Sequence, residues 1–405
     1  MKDNWEEAKL IELVIGKGEY GLNAAACEYN PNLNTYLRIT DISIDGRFIE
    51  EGKKSVNHPD ANNYFLESGD IVFARTGAST GKTYLFNSTS RKLVFAGFLI
   101  RFKPNPNKLE PYFLKFVTQS LFYKNWVSIY SARTGQPGLN GNEFGDFNFK
   151  VPPLPQQQKI AQILSTCDMV LEKTESAIAK YQALKQGLLH DLFTRGIDTK
   201  TGQLRPAYSE APELYKETEL GFVPKEWEVE ELGDFLFLKS GEGITSEDIF
   251  TFERFPVYGG NGLRGYTNSF THDGEYVLIG RQGALCGNIT LAKGKFYASE
   301  HAVIVTIIND CNAKWVEYKL RSMNLNQYSE ASAQPGLSVG KINKLLIKVP
   351  MGEEQNMIAE RFYSLENKIH TEQQTLAKYG TLKAGLMQDL LSGKVGVEGL
   401  LEKEV

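Results

Sequence analysis

Cysteine and histidine are scarce in this sequence and show no metal-ligand spacing. The 405 residues include four cysteines and five histidines, and no two cysteines form a CxxC pair. Structural zinc sites need clustered Cys and His ligands, so the sequence argues against one. Scattered cysteines are also typical of a reducing compartment, and we expect a cytoplasmic protein without a bound metal.

Long apolar runs are absent as well. The longest are the length of a strand, which is too short to span a bilayer, and the N-terminus lacks the apolar core of a signal peptide. Hydrophobic residues make up 41% of the chain and charged residues 23%, values typical of a soluble globular protein. A chain of this length has room for two or three domains.

Motifs of common catalytic sites are also missing. We find no glycine-rich cofactor loop that opens a Rossmann unit, no Asn-Pro-Pro-aromatic motif, no nuclease cluster and no Ser/His/Asp set. The segment Ala74–Thr83 resembles a P-loop, but three residues rather than four separate Gly77 from Gly81. The related segment Arg281–Asn288 lacks the Lys and Thr, so we predict a protein that is not an enzyme and binds no cofactor itself.

A long internal repeat is the most informative feature that is present. Lys150-Val151-Pro152 recurs 198 positions later as Lys348-Val349-Pro350, and the same offset relates Gln136–Leu139 to Gln334–Leu337. A repeat of about half the chain is too long for a solenoid unit. It predicts two similar domains related by a pseudo-twofold axis, and therefore two similar sites.

Positive charge is concentrated in one part of each half. Residues 71–150 hold eleven Lys and Arg against three Asp and Glu, and residues 254–348 hold eleven against six. The net charge of the whole chain is −4, which argues against a free-standing nucleic-acid binder. Two basic zones are nevertheless what two phosphate-facing surfaces need, although a solvated face is an equally simple interpretation.

Short β-branched runs between turn signals predict buried strands in both halves. Examples are Ile71–Ala74, Phe98–Phe102, Val277–Ile279 and Ala302–Val305, with helices around Pro111–Ser128 and Ala313–Tyr328. We predict a mixed α/β fold with two globular domains separated by a pair of long helices. The predicted divisions are residues 1–150 for domain 1, 151–206 for helix 1 and a linker, 207–348 for domain 2, and 349–405 for helix 2.

Each long helix carries apolar residues at alternating four- and three-residue steps, the pattern of a coiled-coil seam. The seam is interrupted by Thr174 and Lys185 in the first helix and by Glu372 and Lys383 in the second. Because these interruptions match, we predict that the helices pair antiparallel within one chain; the alternative is that each helix packs only on its own domain. The predicted pairing residues are Ile160, Leu164, Leu171, Ile178, Tyr181, Leu188, Ile358, Phe362, Ile369, Leu376, Tyr379 and Leu386.

Two loop motifs recur before the helices. One is an arginine followed by Gly-x-x-x-Gly, at Arg75 and Arg281, which offers a guanidinium and backbone donors to phosphate or base edges. The other is Gln-Pro-Gly-Leu at residues 136–139 and 334–337, whose amide can pair with adenine. A third, Tyr258–Tyr266, is a glycine-rich loop with an amide and a guanidinium. The first two could also be purely structural turns, and the third could be a mobile surface loop.

These features together resemble the specificity subunit of type I restriction–modification systems, over nearly the whole chain. They are the Lys-Val-Pro segments, the helix starts at Gln157 and Gln355, and the Lys-x-Gly-Leu-hydrophobic-x-Asp-Leu helix ends at 185–192 and 383–390. Tyr36–Ile42 and Pro256–Gly262 add to the match. The chain departs from the pattern at Met351-Gly352-Glu353-Glu354, where the first half has Pro-Leu-Pro-Gln.

The resemblance implies two target-recognition domains that each read one half of a bipartite, asymmetric DNA site. It implies that the helices set the spacer and dock two methyltransferase subunits, joined by restriction subunits. S-adenosylmethionine, ATP and Mg²⁺ would belong to those partners. The candidate DNA contacts are Arg38, Arg75, Thr76, Lys82, Arg133, Gln136, Tyr258, Asn261, Arg264, Arg281, Gln282 and Gln334. The alternatives are a coiled-coil scaffold that binds another ligand, and a nucleotide-dependent enzyme that uses residues 76–83.

Overall fold

The structure, a computed structural model, describes residues 5–88, 92–132, 136–283, 285–308, 311–329 and 336–401. The chain forms two compact units. Unit 1 is Met1–Glu175 with Gln374–Val405, and unit 2 is Ser176–Gln373. In the described part of the chain, no helix is long and apolar enough to cross a membrane.

Unit 1 is built on two four-stranded sheets and an antiparallel strand pair. Its strands are β1 (Glu6–Lys9), β2 (Val14–Tyr20), β3 (Cys27–Glu28), β4 (Asn34–Leu37), β5 (Lys54–Val56), β6 (Ile71–Ala74), β7 (Thr83–Leu85), β8 (Leu93–Phe95), β9 (Leu99–Pro104) and β10 (Asn148–Val151). The sheet orders are β2-β9-β6-β7 and β3-β5-β4-β8, and β1 pairs with β10. The helices that begin in this unit are α1 (Leu10–Leu13), α2 (Pro111–Gln119), α3 (Leu121–Tyr130), α4 (Gly141–Gly145) and α5 (Leu154–Thr194).

The core of unit 1 is rich in aromatic side chains. Strand β6 is buried along its whole length, as expected for a continuous apolar run in the interior of a sheet. Its Phe73 packs edge-on against Phe102 and tilted against Phe144, at centroid distances of 5.3 and 5.1 Å. Helices α2 and α3 cover this cluster, and Ile160 and Leu164 of α5 belong to it. The first turns of the long helix are therefore part of the core of the globular region.

Unit 2 contains a six-stranded sheet in the order β14-β19-β17-β18-β15-β16 and two strand pairs, β11-β12 and β13-β20. These strands are β11 (Tyr215–Thr218), β12 (Gly221–Pro224), β13 (Glu228–Glu231), β14 (Leu236–Ser240), β15 (Phe255–Gly259), β16 (Gly262–Thr267), β17 (His272–Gly280), β18 (Ile289–Ala298), β19 (Ala302–Ile307) and β20 (Leu346–Val349). The remaining helices are α6 (Leu232–Phe235), α7 (Ala313–Ser322), α8 (Val339–Asn343), α9 (Gly352–Leu391) and α10 (Glu398–Leu401). The predicted mixed α/β fold is confirmed.

The two long helices begin at equivalent positions, Leu154 and Gly352, 198 residues apart. In each unit a buried glutamine joins this start to the globular region. Gln157 donates to the carbonyl of Pro152 at 2.8 Å and accepts from the amide of Glu110 at 2.9 Å. Gln355 donates to Pro350 and accepts from Asn312, at 2.9 and 3.1 Å. Because Glu110 and Asn312 cap α2 and α7, the same bond anchors the long helix in both units.

The long helices pack together within each unit, as the seam predicted. In unit 2, Lys185 of α5 contacts Glu366 of α9, while the ring of Phe193 stacks on Phe362 at 5.7 Å. Residue numbers rise along α5 as they fall along α9, so the pair is antiparallel. In unit 1, Asp168 of α5 contacts Lys383 of α9.

Burial differs along the predicted seam. Ile160, Leu164, Ile358 and Phe362, near the helix starts, are fully buried against the globular regions, and Ile178 is buried. Leu171, Tyr181, Leu188, Ile369, Leu376 and Leu386 are half-buried, and Tyr379 is 40% exposed. Each long helix therefore packs on a globular region as well as on its partner helix.

Candidate nucleic-acid interface

In unit 1 the Arg-Gly loop and the Gln-Pro-Gly turn form one structure. The backbone amide of Arg75 donates to the carbonyl of Phe98 at 3.0 Å, and the Arg75 carbonyl accepts from Leu139 at 2.9 Å. Gly77 donates to Pro137 at 2.9 Å, and an isolated bridge joins Thr76 to Gly138. Two motifs that are about 60 residues apart in the sequence thus lie side by side.

Unit 2 repeats this arrangement. The amide of Arg281 donates to His301 at 2.8 Å, and the Arg281 carbonyl accepts from Leu337 at 2.9 Å. A bridge joins Gln282 to Gly336, as Thr76 is joined to Gly138 in unit 1. The loop closes in the same way in both units, because Gly81 donates to Ala74 and Gly287 to Gly280.

The two arginine side chains have different neighbours. The Arg75 guanidinium lies over the ring of Tyr20, 5.0 Å from its centroid. Arg281 Nη1 donates to Ser240 Oγ at 3.2 Å. Neither forms a salt bridge with a described residue, and both are half-buried, so each guanidinium keeps donors for a ligand.

The glycine-rich loop of unit 2 adjoins the Arg281 loop. A cavity of about 320 Å³ is lined by the β15–β16 hairpin end, Gln282, Gly283 and His301. Asn288 donates to the side chain of Asn261 at 3.2 Å, which connects the two loops. A Cβ on Gly280 would lie 2.0 Å from the Gly260 carbonyl, so the close approach requires glycine. Asn261, Arg264 and Gln282 are exposed around this cavity.

Three other candidates have structural partners. Arg38 pairs through two nitrogens with Asp41, at 2.9 Å (Nε–Oδ2) and 2.6 Å (Nη2–Oδ1). Lys82 Nζ donates to the Ile42 carbonyl at 3.1 Å. The ring of Tyr258 packs edge-on against Phe296 at 5.7 Å. These contacts engage the three side chains within the protein, and their role in DNA binding stays a prediction.

The segment that resembles a P-loop has a different backbone context. After Gly81 the chain enters strand β7, whereas a P-loop opens a helix whose N-terminus faces the phosphates. Nothing in this local geometry favours the nucleotide-dependent alternative.

The remaining candidates are placed as follows. Gln136 is exposed, and its amide lies against Gly77, where a Cβ would be 2.9 Å from Nε2. Thr76 is half-buried at the bridge to Gly138. Arg133 and Gln334 lie outside the described residues.

Tyr20, Phe98, Ser240 and His301 belong to this site but were not among the candidates. The carbonyl of His301 accepts from Arg281 as the carbonyl of Phe98 accepts from Arg75. Tyr20 and Ser240 are 220 positions apart, and Phe98 and His301 are 203 apart, so a search at an offset of 198 misses both pairs. The feature of the sequence that could have revealed the first pair is the glycine that follows each residue, in Tyr20-Gly21 and Ser240-Gly241.

Comparison with known proteins identifies the family. A family model described as "Type I restriction modification DNA specificity domain" matches residues 2–180 and 224–378. The chain belongs to this type I specificity family. The matched regions fall in both halves of the repeat, and the resemblance stated from the sequence is confirmed.

Relatives of this type I specificity protein carry names that agree with the family assignment. It is 45% identical over 166 residues to the type I restriction enzyme EcoprrI specificity subunit of Escherichia coli, an alignment that spans 38% of this chain and 41% of the relative. It is 24% identical over 364 residues to the putative type I restriction enzyme MjaX specificity subunit of Methanocaldococcus jannaschii, covering 85% and 83%.

A solved structure shares the fold of this type I specificity protein. The crystal structure of a type I restriction-modification system S subunit from M. genitalium aligns over 96% of both chains, with a TM-score of 0.64 and 16% identity. At this identity the similarity concerns the fold, and it includes two globular regions with long helices.

Proposed function

We propose that this chain is the DNA sequence-specificity subunit of a type I restriction–modification complex. Unit 1 reads one half of a bipartite site and unit 2 reads the other, while α5 and α9 set the spacer and dock two methyltransferase subunits. Restriction subunits complete the assembly. The chain itself is not catalytic, and S-adenosylmethionine, ATP and Mg²⁺ bind to its partners.

One observation carries this proposal: the same arginine loop, fixed by the same turn, occurs once in each unit. A guanidinium that points from a rigid turn can donate two hydrogen bonds to guanine O6 and N7, which is the most common specific contact to DNA. The neighbouring glutamine amide suits adenine. Two such sites on one chain fit a target that is read in two places.

The differences between the units support an asymmetric target. Arg75 lies over an aromatic ring, whereas Arg281 lies beside a hydroxyl. Between the two loop glycines, Ser79 in unit 1 corresponds to Leu285 in unit 2, and Leu285 is 55% exposed. An exposed aliphatic side chain can contact a thymine methyl group, which a serine does less well. Different half-sites are therefore expected.

The direct test is a methylation map of DNA from a host that expresses this chain with its cognate methyltransferase. We expect a bipartite motif with one methylated adenine in each strand. Replacement of residues 1–150 by the corresponding domain of a relative should change one half of that motif only. An active methyltransferase that leaves no bipartite motif would contradict the proposal and favour the scaffold alternative.

Single arginine changes should separate the two half-sites. Arg75→Ala should weaken discrimination at one half-site and Arg281→Ala at the other, each by roughly 1–3 kcal/mol if the contact is bidentate. Competition binding of the assembled complex to DNA with substitutions in either half measures this. Each variant serves as the control for the other half-site.

The nature of the contact can be tested at the same positions. Arg281→Lys keeps the charge but loses the planar fork, so a base contact should be lost while a phosphate contact should survive. If Arg281 contacts a phosphate, its loss in Arg281→Ala should lower binding equally on all sequences and reduce the salt dependence of binding. Equal losses at both half-sites in Arg75→Ala and Arg281→Ala would show that these loops do not read bases.

A further inference from the structure

A carboxylate joins three helices in unit 1. Asp168 of α5 accepts a hydrogen bond from Lys115 Nζ of α2 at 2.8 Å and also contacts Lys383 of α9. All three side chains are largely buried, with 19%, 20% and 15% of their side-chain surfaces exposed. Lys115 and Lys383 both lie over the ring of Phe116. The globular region and both long helices therefore meet at one charged group.

Unit 2 contains the same junction with the helices exchanged. Glu366 of α9 accepts from Lys185 Nζ of α5 at 2.5 Å and from the hydroxyl of Tyr318 of α7 at 2.6 Å. Glu366 lies 198 positions after Asp168, and Lys383 lies 198 positions after Lys185. Tyr318 is on the helix that corresponds to α2. The two junctions thus share the carboxylate and the seam lysine and differ in the third partner, Lys115 or Tyr318.

The junctions explain two of the four polar interruptions of the seam. Lys185 and Lys383 occupy seam positions, and each meets a carboxylate on the partner helix rather than another interrupted position. Burial alone would raise the pKa of Asp168, but hydrogen bonds and charge from Lys115 and Lys383 outweigh it and lower the pKa. The pKa of Glu366 is lowered in the same way by Lys185 and Tyr318. Both carboxylates are therefore ionised at neutral pH.

A part-buried ion pair contributes little net stability, because the cost of desolvating the charges offsets their attraction. Its best-attested role in helix pairs is to select one register, since a shifted register leaves buried charges without partners. Here a shift of α5 against α9 would separate both pairs.

We propose that Asp168 and Glu366 are positioning residues. They fix the register of α5 against α9 and the position of each globular region on the part of the helix pair in its own unit. This inference rests on the proposed function: if the helices set the spacer, these two junctions restrict the protein to one spacer length. Neither residue contacts DNA in this proposal; each acts through the helices.

The first test is the spacer itself. The variant Asp168→Asn with Glu366→Gln keeps the size of both side chains and removes both charges. We expect the wild-type complex to methylate one spacer length, and the variant to lose about tenfold in discrimination against spacers one base pair longer or shorter. Sequencing of methylated DNA measures both. The half-site sequences should not change.

A matched control separates positioning from stability. Phe144 lies on α4 and packs on Phe73 and Trp126, so Phe144→Leu removes packing from the core of unit 1 and leaves both charged junctions intact; it should lower Tm while leaving the spacer unchanged. A double variant that keeps the wild-type spacer, or a control that relaxes it equally, would overturn the inference.

The two junctions also predict different responses to charge exchange. Lys185→Glu with Glu366→Lys should restore the single spacer, because the Tyr318 hydroxyl can accept from a lysine as well as donate to a glutamate. The equivalent exchange in unit 1, Asp168→Lys with Lys383→Asp, should not, because Lys115 would then face another lysine. Equal rescue in both units would contradict the proposed geometry.

The register can be measured without DNA. Spin labels at Glu172→Cys and Lys378→Cys, both exposed positions in unit 1, report the offset of α5 and α9 in a background that lacks the four native cysteines. Asp168→Asn should broaden the distance distribution or shift it by up to about 5 Å, one helical turn. An unchanged distribution would overturn the register role. A wild-type complex without a bipartite motif would instead contradict the proposed function.

Discussion

Replacing Arg205 by alanine is expected to lower the free energy of unfolding of unit 2 by roughly 3–5 kcal/mol, the range for breaking a buried ion pair. Arg205 Nη1 and Nη2 contact Glu354 Oε1 and Oε2 at 2.5 and 3.0 Å, and both side chains are buried. The same carboxylate accepts from Trp227 Nε1 at 2.9 Å and from the Ile197 amide at 2.7 Å. Without the arginine, a negative charge stays buried with only neutral donors.

The chain itself supplies the control for this prediction. In unit 1 the position equivalent to Glu354 is Gln156, which accepts from Trp5 Nε1 at 3.2 Å. Arg205→Ala combined with Glu354→Gln should therefore recover most of the lost stability, since it recreates the neutral pair of unit 1. Urea unfolding followed by tryptophan fluorescence measures both variants. A loss below about 1 kcal/mol in Arg205→Ala, the range of an exposed pair, would contradict the buried-pair account.

This ion pair marks a limit of sequence reasoning. The departure at Met351–Glu354 was visible in the sequence, because the first half has Pro-Leu-Pro-Gln there. The partner of Glu354 was not visible, since Arg205 lies 149 residues earlier in a polar linker. Periodicity detects residues that share a face of one element. It carries no information about which linker residue reaches a helix start.

The helices and strands were predictable for the same reason. Continuous apolar runs and four-three spacing gave β6, β19, α5 and α9, because local burial imposes these periods. Both loop motifs were also found, but as separate features. The two motifs lie side by side because of hydrogen bonds between segments about 60 residues apart. Tyr20 ends β2 and Ser240 ends β14, and these two residues are 220 positions apart rather than 198. The site is formed by hydrogen bonds between segments that are distant in the sequence, and local sequence patterns do not reveal such bonds.

The matched polar interruptions predicted that the two helices pair, and the structure shows which residues two of the interruptions contact. Lys185 and Lys383 contact acidic residues that lie next to the seam, at Glu366 and Asp168. A heptad pattern names the apolar positions of a seam but not the flanking position that a long lysine side chain can reach. The repeat nevertheless located the lysines, because both copies interrupt the seam at the same place.

Gly241→Ala is expected to destabilise unit 2 by about 3 kcal/mol and to impair reading of its half-site. An alanine Cβ at this position would lie 2.3 Å from the carbonyl oxygens of Ala298 and Ser299. The backbone cannot easily withdraw, because the Gly241 amide donates to Ala302 and the next residue donates to Ala298, both at 2.9 Å. Ser240, which supports Arg281, immediately precedes this contact.

Gly243→Ala is the matched control, since a Cβ there meets no atom within 4 Å and its φ is not in the left-handed region. It should change stability by less than about 0.5 kcal/mol, the range of ordinary surface substitutions. In unit 1, Gly21→Ala should reproduce the loss, because its Cβ would lie 2.3 Å from the Ala96 carbonyl, beside Tyr20 and Arg75. Thermal unfolding measures the stability of the three variants, and binding to DNA with substitutions in either half-site measures how well each half-site is read. If Gly241→Ala behaved like Gly243→Ala, the close approach would not be what holds the arginine loop in place.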